Sequence, residues 1–508
     1  MAARYLIGVD LGTSATKAAL YTVDGELVAE ASADVPLYYP RPGVVEQENA
    51  DFYTTAARTV RECLHTSGID PKQVAAIAFD SQMAGIGSVD EHYQPAARFD
   101  SWLDMRCQPY IELLERDHAE HITRLTGCAP TCAHGPKMLW WQGEEPAAFA
   151  RVAKFVTPVA YVAGRMAQLR GDQAYVDHTF LHFSGFADAQ RGTWSDDLIR
   201  VLGMDGDKLP RIVAPWEIIG EVRDQAARDF GLAPGTPIAA GAGDTAAGAL
   251  GAGIVRAGML LDTAGTASVF AGTTTEFLAD TRHRALLTMR SVIPGLWHPL
   301  AYIAGGGLAL RWFCDQFFPE GSDADLLFDE LAQAAAQIPP GADGLYFSPH
   351  LGGRICPAEP SMRGAWLGFS WGHTRAHFYR AILESVAFEY QMYLNILRAY
   401  LPGAPITSAR VIGGGAKSAV WNQIKADVLN VPYQRLRRGE FATWGCALIA
   451  GHAVGLFPDL AAAALQTTAE QGDPVPPIPA NTRRYAECVH QHEVWQTLLA
   501  GEFRRIQH

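Results

Sequence analysis

Short apolar runs interrupted by polar turn residues dominate the first 80 positions. Tyr5 to Val9 reads as a short apolar strand, Asp10-Leu-Gly-Thr-Ser14 supplies turn residues, and Lys17 to Val23 resumes an extended pattern. Asp24-Gly25 is a strong two-residue hairpin signal leading into Glu26 to Ala31. These segments predict an antiparallel meander of three strands. A helix is predicted from Ala50 to Ser67 with Asn49 as its cap, and Val74 to Phe79 reads as a buried strand. Strand-strand-strand-helix-strand describes an α+β or mixed α/β layer, and it differs from the strict alternation of a dinucleotide-binding fold.

From about Asp90 to Glu221 the chain is rich in Trp and Pro, and helices with excursions are expected there. Glycine density rises from Ile238, and a second strand, turn and strand follow at Met259 to Ala271. The core of that segment, Leu261-Asp-Thr-Ala-Gly-Thr266, echoes Val9-Asp-Leu-Gly-Thr13. The echo predicts two halves built on one plan, with a boundary near Gly251 to Ala257 and domains at 1–253 and 254–508. Ala376 to Tyr390 carries Tyr379, Ile382, Leu383, Val386 and Tyr390 at the spacing of one buried helical stripe. A further helix, Ser418 to Leu429, follows the strand Ala409 to Ile412 and Gly413-Gly-Gly415.

Composition narrows the classes. The chain has 508 residues, 48% hydrophobic and 19% charged, which supports sizeable cores and excludes global disorder. Acidic residues outnumber basic ones 54 to 41 and no basic cluster stands out, so no nucleic-acid partner is expected. Eight scattered cysteines without a CxxC pair read as reduced core thiols. The first apolar run is cut at Asp10, too early for a signal peptide, and Pro237 to Leu261 contains Asp244 and Arg256, so it fails as a lipid-facing span. A soluble cytoplasmic protein with no membrane partner is the expectation.

Candidate chemistry concentrates in the polar turns. In Asp10 to Lys17, Gly12 lets backbone approach closely, successive N–H groups can form an anion nest, and Thr13 and Ser14 add hydroxyl donors. Such a turn suits a polyphosphate, although an ordinary hairpin turn has the same composition. Asp10 would repel phosphate directly, so its sensible role is to hold Mg²⁺ through water. The second turn, Ala264 to Ser268, offers the same donors at Gly265 and Thr266. Gly413, Gly414, Gly415, Ala416 and Ser418 lie between a strand and a helix, where backbone can approach a flat ligand such as adenine. A dinucleotide fingerprint fits poorly, because Ser418 stands where its third glycine belongs and Asp427 comes too soon.

Asp244 lies among small apolar residues, where an unpaired charge is costly to bury. It reads either as the cap of a helix starting at Thr245 or as a base that accepts a hydroxyl proton, and the two roles are compatible. Trp102, Asp104 and Arg106 alternate along a predicted strand and so point one way, toward a polar ligand or into a surface salt bridge. Trp140-Trp141 reads as core, and His118 and His121 read as surface or satisfied core residues.

Together these residues resemble the FGGY carbohydrate kinase family, within the actin-like ATPase superfamily, along essentially the whole chain. The stretch Gly364-Ala-Trp-Leu-Gly-Phe369, followed after seven residues by His377-Phe-Tyr-Arg-Ala-Ile-Leu-Glu384, fits that family's second signature at every constrained position. The first signature is partly met: Lys137, Trp140 and Glu144 agree, whereas Cys132 and His134 depart from it. The resemblance implies an α/β fold of two RNase H-like (actin-like ATPase) domains flanking a central cleft, with sugar bound mainly by the first domain and ATP by the second. It makes Asp10 to Lys17 (Asp10, Gly12, Thr13, Ser14, Lys17) and Gly265 to Ser268 the phosphate loops. Gly413 to Ser418 becomes the adenosine loop and Asp244 the catalytic base, with ATP and Mg²⁺ required. The implied partner is a small-molecule sugar or polyol, and a homodimer is a family-level expectation.

The order of motifs is most similar to xylulokinases. Gln82-Met83 matches the start of their substrate segment, and Gly353-Arg354 with Pro357 resembles the stretch before the second signature. Ala84 replaces the histidine those enzymes place after the methionine, and Thr245 replaces an asparagine, so D-xylulose is not assured as the acceptor. Gln82, Met83, Trp102, Asp104, Arg106 and Asp244 are expected to shape the acceptor pocket. The competing expectation is an actin-like or chaperone-like ATPase switch that has no small-molecule acceptor.

Overall fold

The computed structural model describes residues 4–319, 324–468 and 472–506. The chain divides into two compact units. The first gathers the described residues up to Val255 together with Thr288–Trp297 and the described part of Glu440–Ala469; the second comprises the rest. The sequence reading drew one cut near residue 253, whereas the compact units are discontinuous because two later segments belong to the first.

The first unit is built on a sheet with strand order Ile218–Glu221, Pro237–Ala239, Val74–Ser81, Tyr5–Leu11, Ala15–Thr22 and Leu27–Asp34; Ala242–Gly243 also pairs with Val74–Ser81. Tyr5–Leu11 runs antiparallel to Ala15–Thr22, which is antiparallel to Leu27–Asp34, so the predicted meander is present. Gly25, at φ 89°, occupies the left-handed conformation its turn requires. Val74–Ser81 joins the first strand in parallel.

Alternation along the first strand sends Ile7, Val9 and Leu11 into a core with Phe52, Ala56 and Val60 of the helix Asn49–Ser67. The opposite face, carrying Gly8 and Asp10, receives the helix Phe441–Ala453. A Cβ on Gly8 would lie 1.8 Å from Thr443 O, so only glycine permits this approach. The expected cap at Asn49 is corrected: Glu48 holds the N-cap position without a side-chain bond, and Asn49 is buried with its amide donating to Ala97 O at 3.0 Å.

The second unit repeats the plan. Five strands lie in the order Trp297–Ile303, Ser268–Ala271, Met259–Ala264, Ser408–Ile412 and Tyr433–Arg435, with an antiparallel meander continued by parallel strands. The predicted helix at Ala376 spans Arg375–Tyr400, ten residues beyond the expected end, because Tyr393, Leu394 and Leu397 prolong the buried stripe. Its start is fixed by Thr374 and His377, whose side chains cap each other's backbone. Much of the second signature is therefore structural. Arg380 donates to Glu384 at 2.7 Å, and the same carboxylate accepts from Tyr485 Oη at 2.8 Å and Gly341 N at 3.0 Å. Among the described residues no helix is long and apolar enough to cross a membrane.

Candidate active site

The parallel ladder of the first unit sets the site. Asp10 pairs in register with Asp80, and Asp80 pairs with Ala242 on its other side. Two residues past Ala242 the helix Asp244–Gly251 begins, so three carboxylates converge at one end of the sheet. Asp80 is fully buried, and its Oδ2 accepts from Cys446 Sγ at 3.0 Å. Burial, then the Asp10 charge, holds Asp80 well above the usual carboxylate range. Burial also raises Asp10, against a hydrogen bond with Asp80 and the attraction of Lys17.

Asp244 is partly exposed, and burial followed by the Asp10 charge raises its pKa to about 7. Gly243, not Asp244, is the N-cap residue, so the capping role predicted for Asp244 is corrected. Its Oδ1 instead accepts from the backbone N–H and the hydroxyl of Thr245, the latter at 3.0 Å. One oxygen is held in place while the acid stays poised near neutrality, the condition a general base requires.

The turn after the first strand is braced by a short network. Trp102 Nε1 donates to Thr13 Oγ1 at 2.8 Å, Gln47 Nε2 donates to Thr13 O at 2.9 Å, and Gln82 Nε2 donates to Gln47 Oε1 at 2.8 Å. Gly12 N donates to Ala15 O, which closes the turn, and Ser14 remains exposed. Lys17, in register with Asp10, forms a salt bridge with Glu440 at 3.1 Å. Met83 is buried, its side chain filling the space a Cβ on Gly243 would take.

The strand predicted through Trp102, Asp104 and Arg106 is corrected: the strand Pro95–Asp100 ends first, and residues 101–107 form turns. Only Trp102 reaches Thr13. Asp104, 0% exposed, accepts from the backbone N, Nε and Nη2 of Arg106 and also from Val45 N at 2.7 Å. Arg106 adds a 2.6 Å bond to Glu46 and stacks 5.0 Å from the Trp140 ring centroid. Its Nε and Nη2 groups bond inside this unit, and the half-buried Trp140-Trp141 pair serves as a platform for the guanidinium, not as plain core.

In the second unit, the turn at Gly265 and Thr266 lies against the start of the helix Gly306–Phe317: Gly307 N donates to Gly265 O at 2.9 Å and Leu308 N to Thr266 O at 3.0 Å. Gly413, at φ 86°, also meets this turn, since a Cβ there would lie 2.8 Å from Ala264 O. Gly414 has open space beside it, Ala416 O accepts from Asn422 Nδ2 at 2.9 Å, and Ser418 caps the helix Ala419–Leu429 through Trp421 N. The predicted second phosphate loop and adenosine loop are thus neighbours, and a helix start at Gly305-Gly306-Gly307 that the sequence reading passed over packs against the former. Asp80 was missed too, because the strand reading stopped at Phe79; a carboxylate closing a continuous apolar run was the available signal.

Two family models match the chain. The N-terminal domain of the FGGY family of carbohydrate kinases covers residues 5–251, and the C-terminal domain of that family covers residues 260–454. A xylulose kinase of Bacillus subtilis (strain 168) is 30% identical over 464 residues, 90% of each chain. A gluconokinase of the same strain is 26% identical over 464 residues, covering 89% of this chain and 88% of the relative. The crystal structure of xylulose kinase from Rhodospirillum rubrum superposes with a TM-score of 0.88 at 27% identity, over 99% of this chain and 100% of that one. The duplicated meander sheets, the converging carboxylates and these matches agree: the chain belongs to the FGGY family of carbohydrate kinases, mixed α/β enzymes of two domains with the actin-like ATPase fold.

Proposed function

We propose that this kinase transfers the γ-phosphoryl group of MgATP to a hydroxyl of a ketose, a pentulose such as xylulose, or of a related polyol. Sugar kinases of this family use ATP, and membership in the family removes the alternative of a switch without a small-molecule acceptor. The observation that carries the reading is Asp244: a partly exposed carboxyl, oriented by Thr245 and raised to about 7. It would take the hydroxyl proton as the new O–P bond forms. The first unit would hold the acceptor through Gln82, Met83 and Trp102, and the second would hold the nucleotide through Gly265, Thr266 and Gly413–Ser418. Asp104 and Arg106 would act by fixing the turn that carries Trp102.

The residues fit the implied metal and nucleotide. Asp10 offers a partly exposed hard oxygen beside the polar turn, and among the described residues no cluster of three His, Cys, Asp or Glu is arranged as an all-protein metal cage. One or two carboxylates with water and phosphate oxygens is the environment Mg²⁺ favours. When bound, the ion neutralises charge on the phosphates. Thr13 and Lys17 would steady the polyphosphate, which requires Lys17 to exchange Glu440 for phosphate.

The relatives act, by name, on xylulose and on gluconate, and Ala84 removes a polar contact that xylulokinases place beside the sugar. A coupled ADP assay across ketopentoses, ketohexoses, glycerol and gluconate, with Mg²⁺, tests the acceptor. A ketopentose is expected to give the highest kcat/KM, and preference for gluconate would overturn the ketose reading. Asp244→Asn is expected to lower kcat by about 10²- to 10⁴-fold with the best acceptor. Full turnover in that variant would remove Asp244 as base.

A further inference from the structure

We propose that Cys107 and Cys132 form a dithiol that a hydroperoxide converts to a disulfide, a modification site beneath the turn carrying Trp102. The sequence separates the two cysteines by 25 positions, but the fold brings their sulfurs to 3.8 Å. Cys107 is buried at the N-cap of the helix Gln108–Asp117, whereas Cys132 is partly exposed. Lys137, 0% exposed, sets its ammonium 3.4 Å from Cys132 Sγ while donating to Ser101 O at 3.0 Å and Asp104 O at 2.7 Å. A buried cation held by two carbonyls cannot swing away, so it is a permanent counter-charge for a thiolate.

The cysteines separate accordingly. The hydrogen bond from Cys107, opposed by burial and aided by Lys137, lowers Cys132 to about 7, and the same contact with burial raises Cys107. Burial raises Cys63 to about 12 and Cys314 and Cys356 to about 11. Cys132 is therefore the nucleophile and Cys107 the resolving thiol. The Cys132 thiolate attacks one peroxide oxygen, the O–O bond breaks, and the leaving oxygen takes a proton as water or alcohol. Cys132, now a sulfenic acid, has lost two electrons to the peroxide. Cys107 then loses its proton and attacks Cys132 Sγ, forming S–S as the S–O bond breaks and a second water leaves. Bond formation brings the sulfurs from 3.8 Å to about 2 Å.

Cys132 Sγ also lies 2.7 Å from Asp104 O, in the turn that aims Trp102 at Thr13. Oxidation would release that contact and loosen the turn. This consequence, unlike the modification itself, rests on the acceptor site proposed above.

The test treats the full-length protein with equimolar hydrogen peroxide near pH 7, followed by intact mass and non-reducing peptide mapping. Expected are a loss of about 2 Da, a fall from eight free thiols to six, a Cys107–Cys132 linked peptide, and reversal by dithiothreitol. Cys107→Ser should instead accumulate a dimedone-trapped sulfenic acid at Cys132, and Lys137→Met should slow the reaction about tenfold. First reaction at another cysteine, or oxidation of Cys132 without linkage to Cys107, would overturn the proposal. A rise in acceptor KM on oxidation, restored by reductant, would tie the site to catalysis. Linkage in a protein that phosphorylates no acceptor would leave the dithiol standing and the proposed function fallen.

Discussion

Asp10 and Asp262 occupy the first strands of two meanders built alike, yet they sit on opposite faces and do different work. Counted from the Gly-Thr of each turn, Asp10 aligns with Thr263, and Asp262 aligns with Val9, a core position. One residue of offset in a strand exchanges the faces of the sheet. Asp262 is accordingly buried, 2.5 Å from Lys425 Nζ and 2.8 Å from Tyr390 Oη. Asp10 keeps partial exposure beside Asp80 and Lys17. A repeated architecture can therefore keep its backbone while the same residue type turns from a partly exposed acid into an internal brace.

The largest effect should separate these two carboxylates. Asp10→Asn is expected to lower kcat on the order of a thousandfold, by removing the charge proposed to orient the metal shell, with melting temperature within about 2 °C of the parent. Asp262→Ala should do the reverse. It leaves Lys425 buried without its partner, at a cost of about 3–5 kcal/mol in urea unfolding, while any folded enzyme keeps its kcat. If Asp262→Ala instead leaves stability unchanged and abolishes turnover, the two aspartates are functional equivalents and the contrast fails.

A pH profile sharpens the contrast further. If Asp244 is the base proposed above it must be deprotonated, so kcat/KM of the parent should rise with pH through about 7. The Asp10 charge raises Asp244, so Asp10→Asn should move that limb to lower pH in whatever activity remains, and Asp262→Asn should not move it. Linkage runs the other way. A carboxyl raised on folding stabilises below its usual unfolded value, and the contribution is lost as pH climbs toward 7. Asp244→Asn should flatten that part of the stability curve measured by thermal melts. The smallest expected change is Trp102→Phe, which deletes one hydrogen bond to Thr13, worth about 1 kcal/mol, and should raise acceptor KM about fivefold with melting temperature unchanged.

Much of this arrangement was legible along the chain. Local alternation and the Asp24-Gly25 turn were enough for the first meander, and the stripe from Tyr379 to Tyr390 was enough for the first part of the long helix. What was lost depended on distant partners. The segment 101–107 has the alternation of a strand, but the buried Asp104–Arg106 pair and Lys137 fold it into turns. The echo between the two turns was real as architecture and misleading for the aspartates, because a motif match ignores which side of the sheet a residue faces. Asp80 closes a continuous apolar run in the sequence, but only the parallel register shows that it lies beside Asp10.

The helix Phe441–Ala453 lies on the sheet that begins at Tyr5, against Gly8, with Cys446 on Asp80 and Glu440 on Lys17. During synthesis the face carrying Gly8 and Asp10 must therefore wait for this helix until more than four hundred residues have been made. Contacts this distant along the chain favour slow closure, and a chain halted after the first 255 residues would lack the helix that covers Gly8.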